Sequence, residues 1–195
     1  MSIDKSSLDI RKLTYLGVLT AIVVVLQFAG SFIRLGLFSI SLVLIPIVIG
    51  VALCGIGAGA WLGLVFGVMV FASGDAALFW SIHPFGTFVT VLLKGILCGL
   101  LAGIVFKYAS KINKYFGVLI SAIVCPVVNT GIFLLGGRIF FFEAIKGWAS
   151  AEGVDVVSYM FLILVGGNFL FELLFNVVLS PAIVRIINVA DKKTK

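Results

Sequence analysis

Long apolar runs alternate with short polar breaks along this chain, and most runs have a length suited to crossing a lipid bilayer. The first goes from Leu13 to about Gly30, after a polar start at Met1–Lys12. A glycine-containing polar stretch, Ser31 to Gly36, precedes a second run from about Phe38 to Leu53, which carries Pro46. Cys54-Gly-Ile-Gly57 reads as a tight connection to a third run, Ala58 to about Ala72. A loop starts at Ser73-Gly74-Asp75 and reaches His83-Pro84; a fourth run then goes from Phe85 to about Tyr108. The fifth spans Phe116 to about Phe142, the segment Glu143–Ser158 is the longest polar stretch, and the sixth spans Tyr159 to about Ile187. At about 20 residues per crossing, the pattern predicts an all-α membrane protein: a single domain over residues 1–195, built as a bundle of six transmembrane helices. The second and third runs are short and glycine-rich, so tilting or a re-entrant course is open there.

Composition strengthens this. Of 195 residues, 62% are hydrophobic and 11% charged, against roughly 25% charged in soluble domains, and the mean hydropathy is +1.29. The first run continues too far for the short apolar core of a signal peptide and reads as an uncleaved first helix. The single histidine excludes a multi-His metal site, no phosphate-binding loop of the G-x-x-x-x-G-K-[ST] type occurs, and no cofactor is expected in this chain. Cys54, Cys98 and Cys125 sit singly inside apolar runs and read as small packing residues.

The net charge of +6 invites a nucleic-acid reading, which its distribution removes. Lys5, Arg11, Lys12, Lys107, Lys111, Lys114, Arg185, Lys192, Lys193 and Lys195, ten of the fourteen basic residues, lie in the termini and the even-numbered loops. The opposite side holds Arg34, Arg138 and Lys146 with the acids Asp75, Glu143, Glu152 and Asp155. Basic residues accumulate on the cytoplasmic side, so both N- and C-termini are expected in the cytoplasm.

Two spans carry glycine ladders, Gly59/Gly63/Gly67 and Gly95/Gly99/Gly103, whose four-residue spacing opens one helix face to close approach. A weaker small face, Gly17 with Ala21, lies near the cytoplasmic end of the first span and fits either internal packing or partner docking. Lys94, Asn129 and Glu172 reach comparable depth in their spans. A charge there must face protein or water, and the opposite signs of Lys94 and Glu172 suggest that the two pair or share a polar cavity. Asn168, Glu172 and Asn176 follow at i, i+4 and i+8 and form one stripe. These groups fit a hydrogen-bond network that only joins helices, or a substrate cavity. The outer loops add Arg34, Trp80, His83 and Arg138 as candidate walls and anion-binding cations.

Four stretches carry a resemblance: Leu26-Gln-Phe-Ala-Gly-Ser-Phe-Ile-Arg34, Phe38-Ser-Ile-Ser-Leu-Val-Leu-Ile-Pro46-Ile-Val-Ile-Gly50, Val91-Leu-Leu-Lys94-Gly95 and Pro126-Val-Val-Asn129-Thr130-Gly131. With the six spans, they make nearly the whole chain similar to the substrate-binding S component of an energy-coupling factor (ECF) vitamin transporter, an ABC-type importer of prokaryotes. The resemblance implies a plasma-membrane subunit, not an enzyme. Such a subunit binds a vitamin near the outer surface, under the first and third extramembrane loops. A transmembrane coupling protein and two ATPase subunits on other chains drive release inside. The family's Ala-x-x-x-Ala docking motif falls on Gly17-Val-Leu-Thr-Ala21, with glycine for the first alanine. Among family substrates pantothenate fits best: Arg34, Arg138 and Lys94 suit a carboxylate, and Asn129 and Asn168 suit amide and hydroxyl groups. Pyridoxine- or pyrimidine-type vitamins, riboflavin and folate stay open. Outside the resemblance, a membrane enzyme or an assembly protein is the alternative class.

Overall fold

A computed structural model describes residues 5–35 and 38–192, with side chains for residues 10–33 and 39–190. Helix α1 covers Lys5–Ser31, and the chain then turns through a two-residue ribbon, β1 Arg34–Leu35 paired antiparallel with β2 Phe38–Ser39. Helices α2 (Leu44–Cys54) and α3 (Ile56–Ala72) follow, joined at Gly55, whose φ of 94° suits a residue without a side chain. Next come α4 (Ala77–Ile82), α5 (Pro84–Ala109), α6 (Lys114–Phe140), α7 (Phe142–Ala151) and α8 (Val156–Ser158). A π-helical segment, Tyr159–Leu164, leads into α9, Gly166–Lys192.

Among the described residues, four helices are long and apolar enough to cross a membrane, within α1, α5, α6 and α9. The second and third runs form shorter apolar helices of 11 and 17 residues. Helix α2 is surrounded: Leu44, Pro46, Ile47, Val48, Ile49, Gly50 and Val51 are all buried. An apolar helix with no polar face belongs inside a bundle, and α2 touches α1, α3, α5, α6 and α9.

The glycine ladders meet each other. Helices α3 and α5 run antiparallel, with Gly59 against Gly99 and Gly63 against Gly95. A methyl group on Gly63 would fall on the Gly95 carbonyl oxygen, and one on Gly99 on the Gly59 carbonyl oxygen. Small residues are what let two backbones approach this closely.

Several run boundaries differ from expectation. The second run was expected to be helical from Phe38, yet α2 begins at Leu44. Pro46 is the third helical residue, inside the first turn where a missing N–H costs nothing. The fifth helix ends at Phe140 rather than Phe142, and the long polar stretch after it is mostly helix α7, whose Ile145 and Ala149 face inward. Asp155 caps α8 by accepting from the amides of Val157 and Ser158, both at 3.0 Å; its hydrogen bonds with Ser158 hold the carboxyl below its ordinary range. The loop from Ser73 to Pro84 contains α4. The sixth run is broken at Val165, so Glu172 sits six residues past the first residue of α9, Gly166, rather than some thirteen into one continuous span.

Apolar packing forms two cores. The larger joins Leu19, Val23, Ile47, Leu62, Phe66, Cys98, Cys125 and Ile183 through the bundle. The smaller gathers Phe79, Phe141, Ile145, Ala149, Tyr159, Met160 and Leu164 at one end. Cys98 and Cys125 are buried packing residues, as expected; Cys54 is only half-buried.

Candidate functional site

Between the two cores lies a partly open cavity of about 80 Å³. Each neighbouring element contributes by its local geometry. Helix α1 supplies Gln27 from its last turns, and the extended connection before α2 supplies Ser39 and Ser41. Helix α3 gives Phe66 and Val70, and the turn after it gives Asp75. The first three turns of α5 place Thr87, Thr90, Val91 and Lys94 on one face at three- to four-residue spacing. Past Pro126, α6 presents Asn129, Thr130 and Phe133, and α9 presents Asn168, Phe169 and Glu172. Phe79 closes one end, edge-on to Phe133 at 5.4 Å and to Phe141 at 4.8 Å.

Two acids and one cation line this space. The Asp75 carboxylate accepts from Gln27 Nε2 at 2.8 Å, Ser39 Oγ at 2.7 Å and Ser73 Oγ at 3.2 Å. Glu172 Oε1 accepts from the Ser41 amide at 2.9 Å. Lys94 places Nζ 5.3 Å from the centroid of the Phe66 ring and 5.8 Å from that of Phe133, a cation–π arrangement. Lys94 and Glu172 therefore share the cavity, and no ion pair joins them among the described residues.

Three further polar atoms on the wall, Thr90 Oγ1, Asn129 Oδ1 and Asn168 Oδ1, are buried without a hydrogen-bond partner. Such atoms are rare in native interiors because desolvation without a partner costs about 1–3 kcal/mol each. Their convergence on one cavity with a lysine fits a polar, anionic ligand. Among the described residues no group of three or more metal-ligating side chains occurs.

Of the residues singled out in the sequence, Lys94, Asn129, Asn168 and Glu172 come together on this wall. Trp80, His83 and Arg138 do not line it. Trp80 is 45% exposed and lies edge-on to Phe71 at 5.6 Å. His83 caps α5, its Nδ1 accepting from the Gly86 amide at 2.9 Å. Arg138 stacks its guanidinium 4.0 Å over the Phe142 ring on the outer face of α6. The backbone of Arg34 is in β1, and its side chain lies outside the described residues. Gly17 and Ala21 are on the exposed face of α1, with open space around Gly17.

Sequence reasoning missed Gln27, Ser39, Ser41, Asp75, Thr87 and Thr90. A signal existed for two of them. Gln27 is an amide inside an apolar span, and Asp75 directly follows Gly74, whose φ is 80°, a turn that folds the acid back onto the bundle.

The chain is 29% identical, over 187 residues, to the pantothenic acid transporter PanT of Lactococcus lactis subsp. cremoris (strain MG1363), covering 87% of this chain and 89% of that protein. No solved structure gives a significant match. Residues 11–186 match the family model described as ECF transporter, substrate-specific component. The chain thus belongs to the family of substrate-specific components of ECF transporters, membrane proteins that select a transporter's substrate and are not enzymes.

Proposed function

We propose that this protein is the pantothenate-binding subunit of an ECF-type importer. The observation that carries the reading is the cavity wall itself: one lysine, three unpartnered polar atoms and two phenylalanine rings converge on a single space. Pantothenate has one carboxylate, one amide, two hydroxyls and a branched apolar centre. Lys94 suits the carboxylate, Thr90, Asn129 and Asn168 suit the amide and hydroxyls, and Phe66 and Phe133 suit the apolar centre. Of the three cations first considered for the carboxylate, Lys94 is the one whose described side chain reaches the cavity. The pantothenic acid transporter of Lactococcus lactis, similar over most of both chains, supports the same substrate.

In this reading the whole chain is one substrate-binding domain of six spans, with α2 and α3 as its short inner crossings. The excess of lysine and arginine at the termini and even-numbered loops puts both termini in the cytoplasm and the cavity mouth outside. ATP hydrolysis belongs to two partner subunits joined through a transmembrane coupling protein, which docks on the exposed face around Gly17 and Ala21. The test is binding to the isolated subunit in detergent. Native mass spectrometry should find pantothenate co-purifying, and calorimetry should show it bound in preference to riboflavin, folate and pyridoxine. Tight binding of one of those three with none of pantothenate overturns the assignment.

A further inference from the structure

Glu172 is the acid that depth and charge single out as a ligand, yet its carboxyl oxygen is already engaged by the protein. Helix α2 starts at Leu44, so the amide of Ser41 has no helical partner; it donates to Glu172 Oε1 at 2.9 Å. Two residues earlier on the same connection, the Ser39 hydroxyl donates to Asp75 at 2.7 Å. On its other side the connection lies against the end of α1 and the turn that follows it. The Ile40 amide bonds the Ile33 carbonyl at 3.1 Å, and a methyl on Gly30 would sit 2.6 Å from the Ile40 carbonyl oxygen. Ile40 and Val43 are buried at 4% and 0% exposure, while Ser39 and Ser41 line the cavity. The short segment Ser39–Ser41 is thus held by two acids from different elements, the α3–α4 turn and α9.

We propose that Glu172 and Asp75 are positioning residues, which clasp the α1–α2 connection into the cavity wall, and that Glu172 acts on the substrate through Ser41 rather than by touching it. The Ser41 amide occupies Glu172 Oε1, which builds the wall and leaves Lys94 as the charged group suited to an anionic ligand. The affinity part of the inference rests on the pantothenate reading, whereas the clasp itself does not.

The experiment uses the full chain in detergent and two readouts, hydrogen exchange at the Ser41 amide without substrate and pantothenate affinity. Glu172→Gln keeps an acceptor oxygen and should leave both near wild type. Glu172→Leu removes the acceptor and should speed Ser41 exchange and weaken pantothenate, each by roughly 5- to 100-fold, the cost of leaving a buried amide donor unpaired. Unchanged Ser41 exchange in Glu172→Leu overturns the clasp. Affinity lost equally in Glu172→Gln, with Ser41 still protected, makes Glu172 a direct ligand and also overturns it. Should Glu172→Leu fail to fold, Ser41→Pro removes the amide donor together with the hydroxyl, and Ser41→Ala removes the hydroxyl alone; pantothenate must bind Ser41→Pro more weakly than Ser41→Ala, and equal affinity in the two refutes the proposal. Absence of pantothenate binding in the wild type would refute the substrate reading, and the exchange measurement would still decide the clasp.

Discussion

In the pantothenate reading, Lys94→Met isolates the group proposed to hold the carboxylate. Methionine keeps an unbranched apolar chain of similar length and removes the ammonium group that lies over the Phe66 and Phe133 rings. Lys94 is ten residues into α5, counting from Pro84, or roughly 15 Å below that helix end. Truncating one partner of a buried, hydrogen-bonded charge pair costs about 2–5 kcal/mol. The cavity has an open mouth, so the lower part of that range applies, about 2–3 kcal/mol, or a roughly 30- to 150-fold weaker pantothenate complex. The neutral alcohol pantothenol, in which the carboxylate is replaced by a CH₂OH group, supplies the other leg of the cycle. It should bind the wild type more weakly than pantothenate and lose less than about threefold on Lys94→Met. Calorimetry of two ligands on two proteins gives all four numbers, and the coupling term is free of general damage to the fold. If Lys94→Met retains the wild-type preference for pantothenate over pantothenol, the carboxylate is held elsewhere and the orientation argued from Lys94 is wrong.

Three more outcomes follow from the same structure. In a Cys54→Ser background, a cysteine at Glu152 should react with an impermeant thiol reagent on intact cells and one at Lys111 should not; the reverse pattern inverts the topology. Ala21→Leu, on the exposed face of α1, should abolish co-purification with the coupling module and uptake while leaving pantothenate affinity of the isolated subunit unchanged; equal loss of binding would place that face inside the bundle's own packing. Gly63→Ala drives a methyl into the Gly95 carbonyl oxygen and should cost about 1–3 kcal/mol of stability as an overpacked contact. Gly131→Ala, where a methyl meets open space, should not lower the melting temperature, and equal melting of the two variants would show that α3 and α5 are not in close contact.

How much of this was legible before the structure depends on what kind of residue carried the information. The glycine ladders were readable because helical spacing alone puts Gly59, Gly63 and Gly67 on one face, and their partner ladder on α5 has the same spacing. Lys94, Asn129, Asn168 and Glu172 were readable because polar groups deep in apolar spans must find company. Trp80, His83 and Arg138 carry no such constraint. Near a membrane surface an aromatic or cationic side chain is satisfied by lipid, by a helix end or by a neighbouring ring, and these three take such roles. Ser39, Ser41 and Thr90 were invisible for the opposite reason: small hydroxyl residues sit in apolar segments for many purposes, and only the packing of α1, α5 and α9 around them reveals the one used here.

The departures from regular helix are themselves informative. Irregular backbone within a membrane protein needs its amides and carbonyls satisfied internally, so it survives only where protein or a polar cavity surrounds it. Two such departures flank this cavity. The segment from Phe38 to Val43 precedes α2 and lends Ser39 and Ser41 to the wall; the break at Val165 follows the π-helical segment and itself lines the space beside Asn168. Pro126 adds a third, since it interrupts the hydrogen bonding of α6 one turn before Asn129 and Thr130. Each lies in a hydrophobic run that hydropathy alone reads as an ordinary helix. Their cost in backbone hydrogen bonding is offset where the chain must offer polar groups to something other than itself. In a chain this apolar, the interruptions of helical periodicity therefore locate the cavity wall more reliably than the polar loops at its edges.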